Sequence, residues 1–172
     1  NIYQLKEMKE IIQKKKLKSK VFKGKYLFLD EILEKKINQD YNLDLLVAPS
    51  WSSSFYKLSC HVILRDLLIN NNINYVLRPH PMSLKKGEIS LGELKKLNIA
   101  FDISTKVNLN NIKFLVSDWS GIFVEYAILT KRKAMLINTP KKILNKNYEN
   151  YKQIPMEISL RNILGKTFEV NE

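Results

Sequence analysis

Four short polar segments each follow an apolar run, and they hold the residues best suited to phosphate chemistry: PSWSSS (49–54), RPHP (78–81), SDWSG (117–121) and NTP (138–140). The third is the most informative. In FLVSDWSGIFVEYA (114–127) a strand-like run hands over to a helix-like run through Ser117, Asp118, Ser120 and Gly121. Backbone N–H groups at a helix start lack partners and carry the positive end of the helix dipole, so such a junction can hold an anion. Ser117 and Ser120 offer hydroxyl donors, and Gly121 lets a ligand approach the first N–H groups. The predicted ligand is a phosphate. Asp118 would repel it, so this carboxylate either caps the helix or orders the loop by accepting backbone N–H bonds. Glu125, about a turn further on, suits ribose hydroxyls.

His80 stands between Pro79 and Pro81, whose fixed φ favours extended backbone on either side and aims the imidazole. An imidazole N–H can donate to a phosphate oxygen, and Arg78 adds a permanent cation with a planar donor fork. His80 is thus the predicted catalytic residue and Arg78 a phosphate ligand. Ser50 and Ser52 to Ser54 repeat the serine-rich helix start more weakly, with Ser50 as a further phosphate ligand and Trp51 as a wall of the cleft. Lys57, His61 and Arg65 fall at i, i+4 and i+8, which places His61 on a solvated helix face. Tyr75 and Phe123 read as core. Two histidines, one cysteine and no HxxxH or DxD spacing argue against a metal site.

The elements that must position these residues follow from periodicity. LDLLVAP, INYVLRPHP, NIAFDIS, IKFLVSD and KAMLINTP read as five strands; the intervening SSSFYKLSCHVILRDLLIN, LGELKKL and GIFVEYAILTK read as helices. Strands alternating with helices predict a parallel sheet covered on both faces, a Rossmann-like α/β domain, with ligands beyond the carboxyl ends of the strands. Residues 1–20 form a basic amphipathic helix and connector, with Leu5, Met8, Ile11 and Ile12 on one face, and residues 21–172 the α/β domain. A second short helix is predicted near Asp30, and the last thirty or so residues are less regular.

The chain has 172 residues, 29 basic against 17 acidic side chains and a net charge of +12. Residues 1–36 hold eleven lysines against five acids, half of that surplus. This favours a negatively charged partner. Cys60 stands alone, so no intrachain disulfide is available and a reducing compartment is expected. No apolar run approaches the roughly 18 residues of a membrane span.

Taken together and in order, LLVAPSW, YVLRPHP and FLVSDWSGIFVEYA resemble the CDP-glycerol glycerophosphotransferase family, which primes and polymerises teichoic-acid-type polymers. They are similar to its Ala-Pro-Thr-Trp, Arg/Lys-Pro-His-Pro and Ser/Thr-Asp-Tyr-Ser-Ser segments, and KGKYLFLDEIL is a looser echo of a Gly-Tyr-Pro-Arg-x-Asp segment. The likeness covers roughly residues 20 to 140. It differs at Trp119 for Tyr, Gly121 for Ser, Glu125 for Asp, Ser50 for Thr and Ser52 for Arg. The resemblance implies the carboxyl-terminal, donor-binding half of a GT-B fold, with the acceptor half and its own histidine base outside this chain. It implies His80 at the donor diphosphate, Ser117, Ser120 and Gly121 on phosphate, and Glu125 at the ribose.

The expected reaction is transfer of an alditol phosphate from a CDP-linked donor to a lipid-linked or polymer acceptor, with CMP leaving and no further cofactor. The expected place is the cytoplasm or the inner face of the cell membrane, where lysines meet anionic lipid. The alternatives are a GT-B sugar-nucleotide glycosyltransferase and a basic non-enzymatic module for anionic lipid or RNA. Nucleic acid is disfavoured, because the post-strand residues suit a small phosphate ligand better than a long backbone.

Overall fold

The computed structural model describes residues 2–24, 42–51, 53–104, 107–141, 148–150 and 154–170. Five strands, β1 (Leu43–Val47), β2 (Tyr75–Leu77), β3 (Ile112–Ser117), β4 (Ala134–Asn138) and β5 (Gly165–Glu169), form one all-parallel sheet in the order β2-β1-β3-β4-β5. This is the Rossmann-like α/β architecture that the alternation of elements predicts. Because the strands are parallel, all five carboxyl ends lie on one rim.

Successive side chains of a strand point to opposite faces, so a strand buried on both sides must be apolar throughout. In β1 and its extension, Leu45 and Val47 enter one core cluster while Leu46 and Ala48 enter the other. The first cluster is closed by Phe55 and Tyr56 of α2 (Ser53–Lys57), Cys60 and Leu68 of α3 (Cys60–Asn70) and Leu94 of α5 (Leu91–Lys96). The second is closed by Phe123, Tyr126 and Leu129 of α6 (Ile122–Thr130). Tyr75 and Phe123 are buried in these clusters, as read from the sequence.

The structure departs from the sequence reading in four places. The expected third strand is a single bridge, Phe101 to Leu77, with Leu77 N–H donating to Ala100 O at 2.8 Å and Asp102 N–H to Leu77 O at 3.0 Å. Pro79 ends β2 after three residues, and Asp102 then accepts both the backbone N–H and the hydroxyl of Ser104 at 2.8 Å, turning the chain away. Next, the helix expected from residue 52 to 70 breaks at Ser59, which takes φ +56° and separates α2 from α3. Third, Pro81 does not sit in extended backbone but opens α4 (Pro81–Lys85), using the fixed φ of proline at a first helical position. Fourth, the irregular carboxyl-terminal segment contains α7 (Met156–Ser159), α8 (Arg161–Leu164) and β5, which pairs with β4 over five residues.

The basic amino-terminal helix is α1 (Ile2–Lys14). Leu5, Ile11 and Ile12 are half-buried, whereas Met8, Leu17 and Phe22 are exposed. The helix expected near Asp30 lies outside the described residues. Among the described residues, no helix is long and apolar enough to cross a membrane.

Candidate functional site

The rim is a chain of side-chain contacts running from β2 to β5. At the β1 exit, the Asp118 carboxylate accepts the Ser50 backbone N–H at 2.6 Å and its hydroxyl at 3.1 Å. Ser117, fully buried at the end of β3, donates its hydroxyl to Ala48 O at 2.7 Å. Toward β2, the Lys86 ammonium lies 4.3 Å from the centre of the Trp51 ring. Toward β4, the Trp119 indole N–H donates to Thr139 O at 2.7 Å. Asn138 continues the line by donating its side-chain amide to Glu169 at 2.6 Å.

This geometry corrects two predicted roles. The hydroxyls of Ser117 and Ser50 are buried and committed to Ala48 and Asp118, so they brace the sheet exits instead of facing a phosphate. Asp118 orders a loop by accepting a backbone N–H, and the loop is that of β1, one strand away. Its charge is also felt below the rim: burial first, then the negative charges of Asp118 and Glu88, push the Tyr56 phenol upward.

The other two predicted phosphate ligands of this loop, Ser120 and Gly121, are at the start of α6. Gly121 is its N-cap, and no side chain caps the helix. The nearest hydroxyl, Ser120 Oγ, accepts the Ile122 N–H only at 3.5 Å, too long for a strong bond. Gly121 is exposed, and a Cβ built there would meet nothing within 4 Å, so the approach to the helix start is open. A nine-residue helix with an uncapped, accessible first turn presents N–H groups and a partial positive charge to a ligand.

His80 is the N-cap of α4, and its Nδ1 accepts the Met82 N–H at 3.1 Å. A ring nitrogen that accepts carries no proton, so in the neutral ring the hydrogen sits on Nε2 as a donor. The cap therefore fixes both the ring and its tautomer. His80 and Ser120 follow β2 and β3, which flank β1, so their strands lie roughly 10 Å apart. Glu125 is half-buried one turn into α6. Arg78 is half-buried and spends one N–H on Ser104 O at 2.8 Å. The Ser104 backbone N–H foremost, then its hydroxyl and Arg78, outweigh burial and hold the Asp102 carboxyl below the ordinary 3.8. Arg78 thus helps to brace the 101–104 turn.

His61 is not on a solvated face. It is buried, its ring meets that of Tyr56 edge-on at 5.2 Å, and burial lowers its pKa. The prediction carried one helical phase across Ser59, where the chain breaks. Within α3 alone, His61, Leu64 and Leu68 share the inward face.

The largest omission from the sequence reading is Arg161. Its buried guanidinium donates to the carbonyl of Asp118, to Ile137 O at 3.0 Å and to Asn138 Oδ1 at 2.9 Å, and lies 4.0 Å from the Trp119 ring centre. The available signal was an arginine set among Leu160, Ile163 and Leu164 in LRNIL. Among the described residues, no group of three or more His, Cys, Asp or Glu is placed to hold a metal ion. Comparison with protein-family models, curated proteins and solved structures finds no match to the chain.

Proposed function

We propose that this domain holds the diphosphate of a CDP-linked alditol and presents it for transfer of the alditol phosphate to an acceptor hydroxyl. The observation that carries the reading is the uncapped start of α6, with Ser120 beside it and an open approach over Gly121. Asp118 brings that start against the β1 exit, and at His80, across β1, the bond from Met82 N–H to Nδ1 places the neutral ring's hydrogen on Nε2. The acceptor oxygen attacks the distal phosphorus in line, and the bond to the bridging oxygen breaks. CMP leaves with the bonding pair, and the hydroxyl proton passes to a base expected on the acceptor half. Such chemistry rests on positioning and on stabilising the departing charge, which a helix start and an imidazole donor supply.

Amide shift mapping of the full chain with CDP-glycerol tests this. Perturbation should centre on residues 119–124 and on His80, and a response confined to the lysine-rich segment would contradict it. The same fold supports sugar-nucleotide glycosyl transfer, and product analysis separates the two, because a nucleoside diphosphate would leave instead of CMP.

A second surface accompanies this reading. Met8, Leu17 and Phe22 are exposed among Lys6, Lys9, Lys16, Lys18, Lys20 and Lys23, the pattern that draws a basic segment to anionic lipid. Cosedimentation with anionic but not neutral vesicles is expected.

A further inference from the structure

Arg161 sits in the interior, 4% exposed, and its hydrogen bonds go to carbonyl and amide oxygens rather than to a carboxylate. Desolvating a guanidinium is costly, and replacing buried charge with apolar groups is often neutral or better for stability. A gain in stability is therefore a weak reason for its presence, and its geometry is a stronger one. A guanidinium holds several N–H donors in one rigid plane, which an ammonium cannot reproduce.

One arm of that fork reaches the turn that leads into α6. The carbonyl of Asp118 belongs to the Asp118–Trp119 peptide, and the same guanidinium covers the Trp119 ring. The indole N–H of that ring is tied to Thr139 O, and the other arm of Arg161 reaches Ile137 and Asn138 on β4. Asp118 is thus held from both sides, by Ser50 on its carboxylate and by Arg161 on its carbonyl.

We infer that Arg161 is the positioning residue of this rim: it fixes the plane of the Asp118–Trp119 peptide and hence the direction in which Ser120, Gly121 and the first N–H groups of α6 face. Its effect on affinity rests on the donor-binding reading above, whereas its effect on the turn does not.

The test uses the full chain with Arg161→Met, which keeps apolar bulk, and Arg161→Lys, which keeps charge without the fork. Amide exchange at 119–122, tryptophan emission and calorimetric affinity for CDP-glycerol are measured beside the melting curve. Both variants should fold, with Arg161→Met melting below the parent because three oxygens lose their donor. They should exchange at least tenfold faster at 119–122 with β1 unchanged, and shift Trp119 emission to the red. Affinity should fall at least tenfold, with Lys recovering part of it. A folded variant with parental exchange at 119–122 and parental affinity overturns the inference. If the parent binds no CDP-glycerol, the donor reading fails and the exchange and emission data alone decide the role of Arg161. If Arg161→Met does not fold, Arg161→Lys decides.

Discussion

Asp118 and Ser50, on neighbouring strand exits, are joined twice: the carboxylate accepts the serine backbone N–H at 2.6 Å and the serine hydroxyl at 3.1 Å. Both residues are buried. A buried donor stripped of its acceptor costs about 1–3 kcal/mol. Asp118→Ala should lose stability in that range on urea denaturation, and Asp118→Asn should lose less because its amide oxygen can still accept. Equal losses would mean that the pair does not brace the rim.

The cap that His80 makes and the donor role proposed for it can be separated by substitution. Asparagine can still cap α4 with its side-chain oxygen but cannot reproduce the Nε2 donor, whereas alanine loses both. His80→Asn should keep parental stability, and His80→Ala should lose about 1 kcal/mol. Both should bind CDP-glycerol more weakly. In an assembled enzyme, loss of one oxyanion-type donor corresponds to at least a roughly hundredfold fall in turnover. Full turnover by His80→Asn would remove the imidazole from the mechanism.

Most of the sheet was readable because β1, β3 and β4 each carry a short apolar run, at residues 45–48, 114–116 and 134–137, most of whose side chains enter the two cores. The expected third strand failed because its partner, β2, has only three residues before Pro79. β5 was missed because GKTFE is an edge strand with two exposed positions and a glycine start, which carries no apolar run. At the candidate site, residue types did not tell which hydroxyls were already engaged. Ser117 and Ser120 look alike in sequence, and only the bond from Ser117 to Ala48 separates a brace from an open donor. Arg161 comes from a distant helix, and nothing local to SDWSG announces it.

Gly165 opens β5 where there is no room for a side chain. A Cβ there would lie 2.8 Å from Leu136 Cγ and 3.0 Å from the Arg161 carbonyl oxygen, and Leu136 is fully buried. Gly165→Ala should therefore cost about 1–3 kcal/mol through overpacking, read as a lower urea midpoint at unchanged slope. A neutral result would show that Leu136 can move aside.

His61 gives stability a pH dependence. Burial foremost, then the Arg65 charge, against an opposing pull from Glu93, place its folded pKa below the ordinary 6.5. The unfolded chain takes up a proton near 6.5, while the folded chain does so only at lower pH, so between the two the unfolded state binds more protons. The His61 contribution is then complete above about pH 6.5 and is lost as pH falls through the folded pKa, by at most about 1.4 kcal/mol per pH unit. Melting temperature should drop between about pH 7.5 and 5, and His61→Leu should flatten that slope. A parallel slope in the variant would assign the effect elsewhere.

The central claim, that the start of α6 grips a diphosphate, is tested most directly by calorimetric titration of the folded chain with CDP-glycerol beside its Gly121→Val variant. A β-branched side chain over the open approach should leave the fold intact and abolish most of the binding seen in the parent. Saturable binding by the parent, lost in Gly121→Val, is the expected result. No binding by the parent, or equal binding by both, would contradict it.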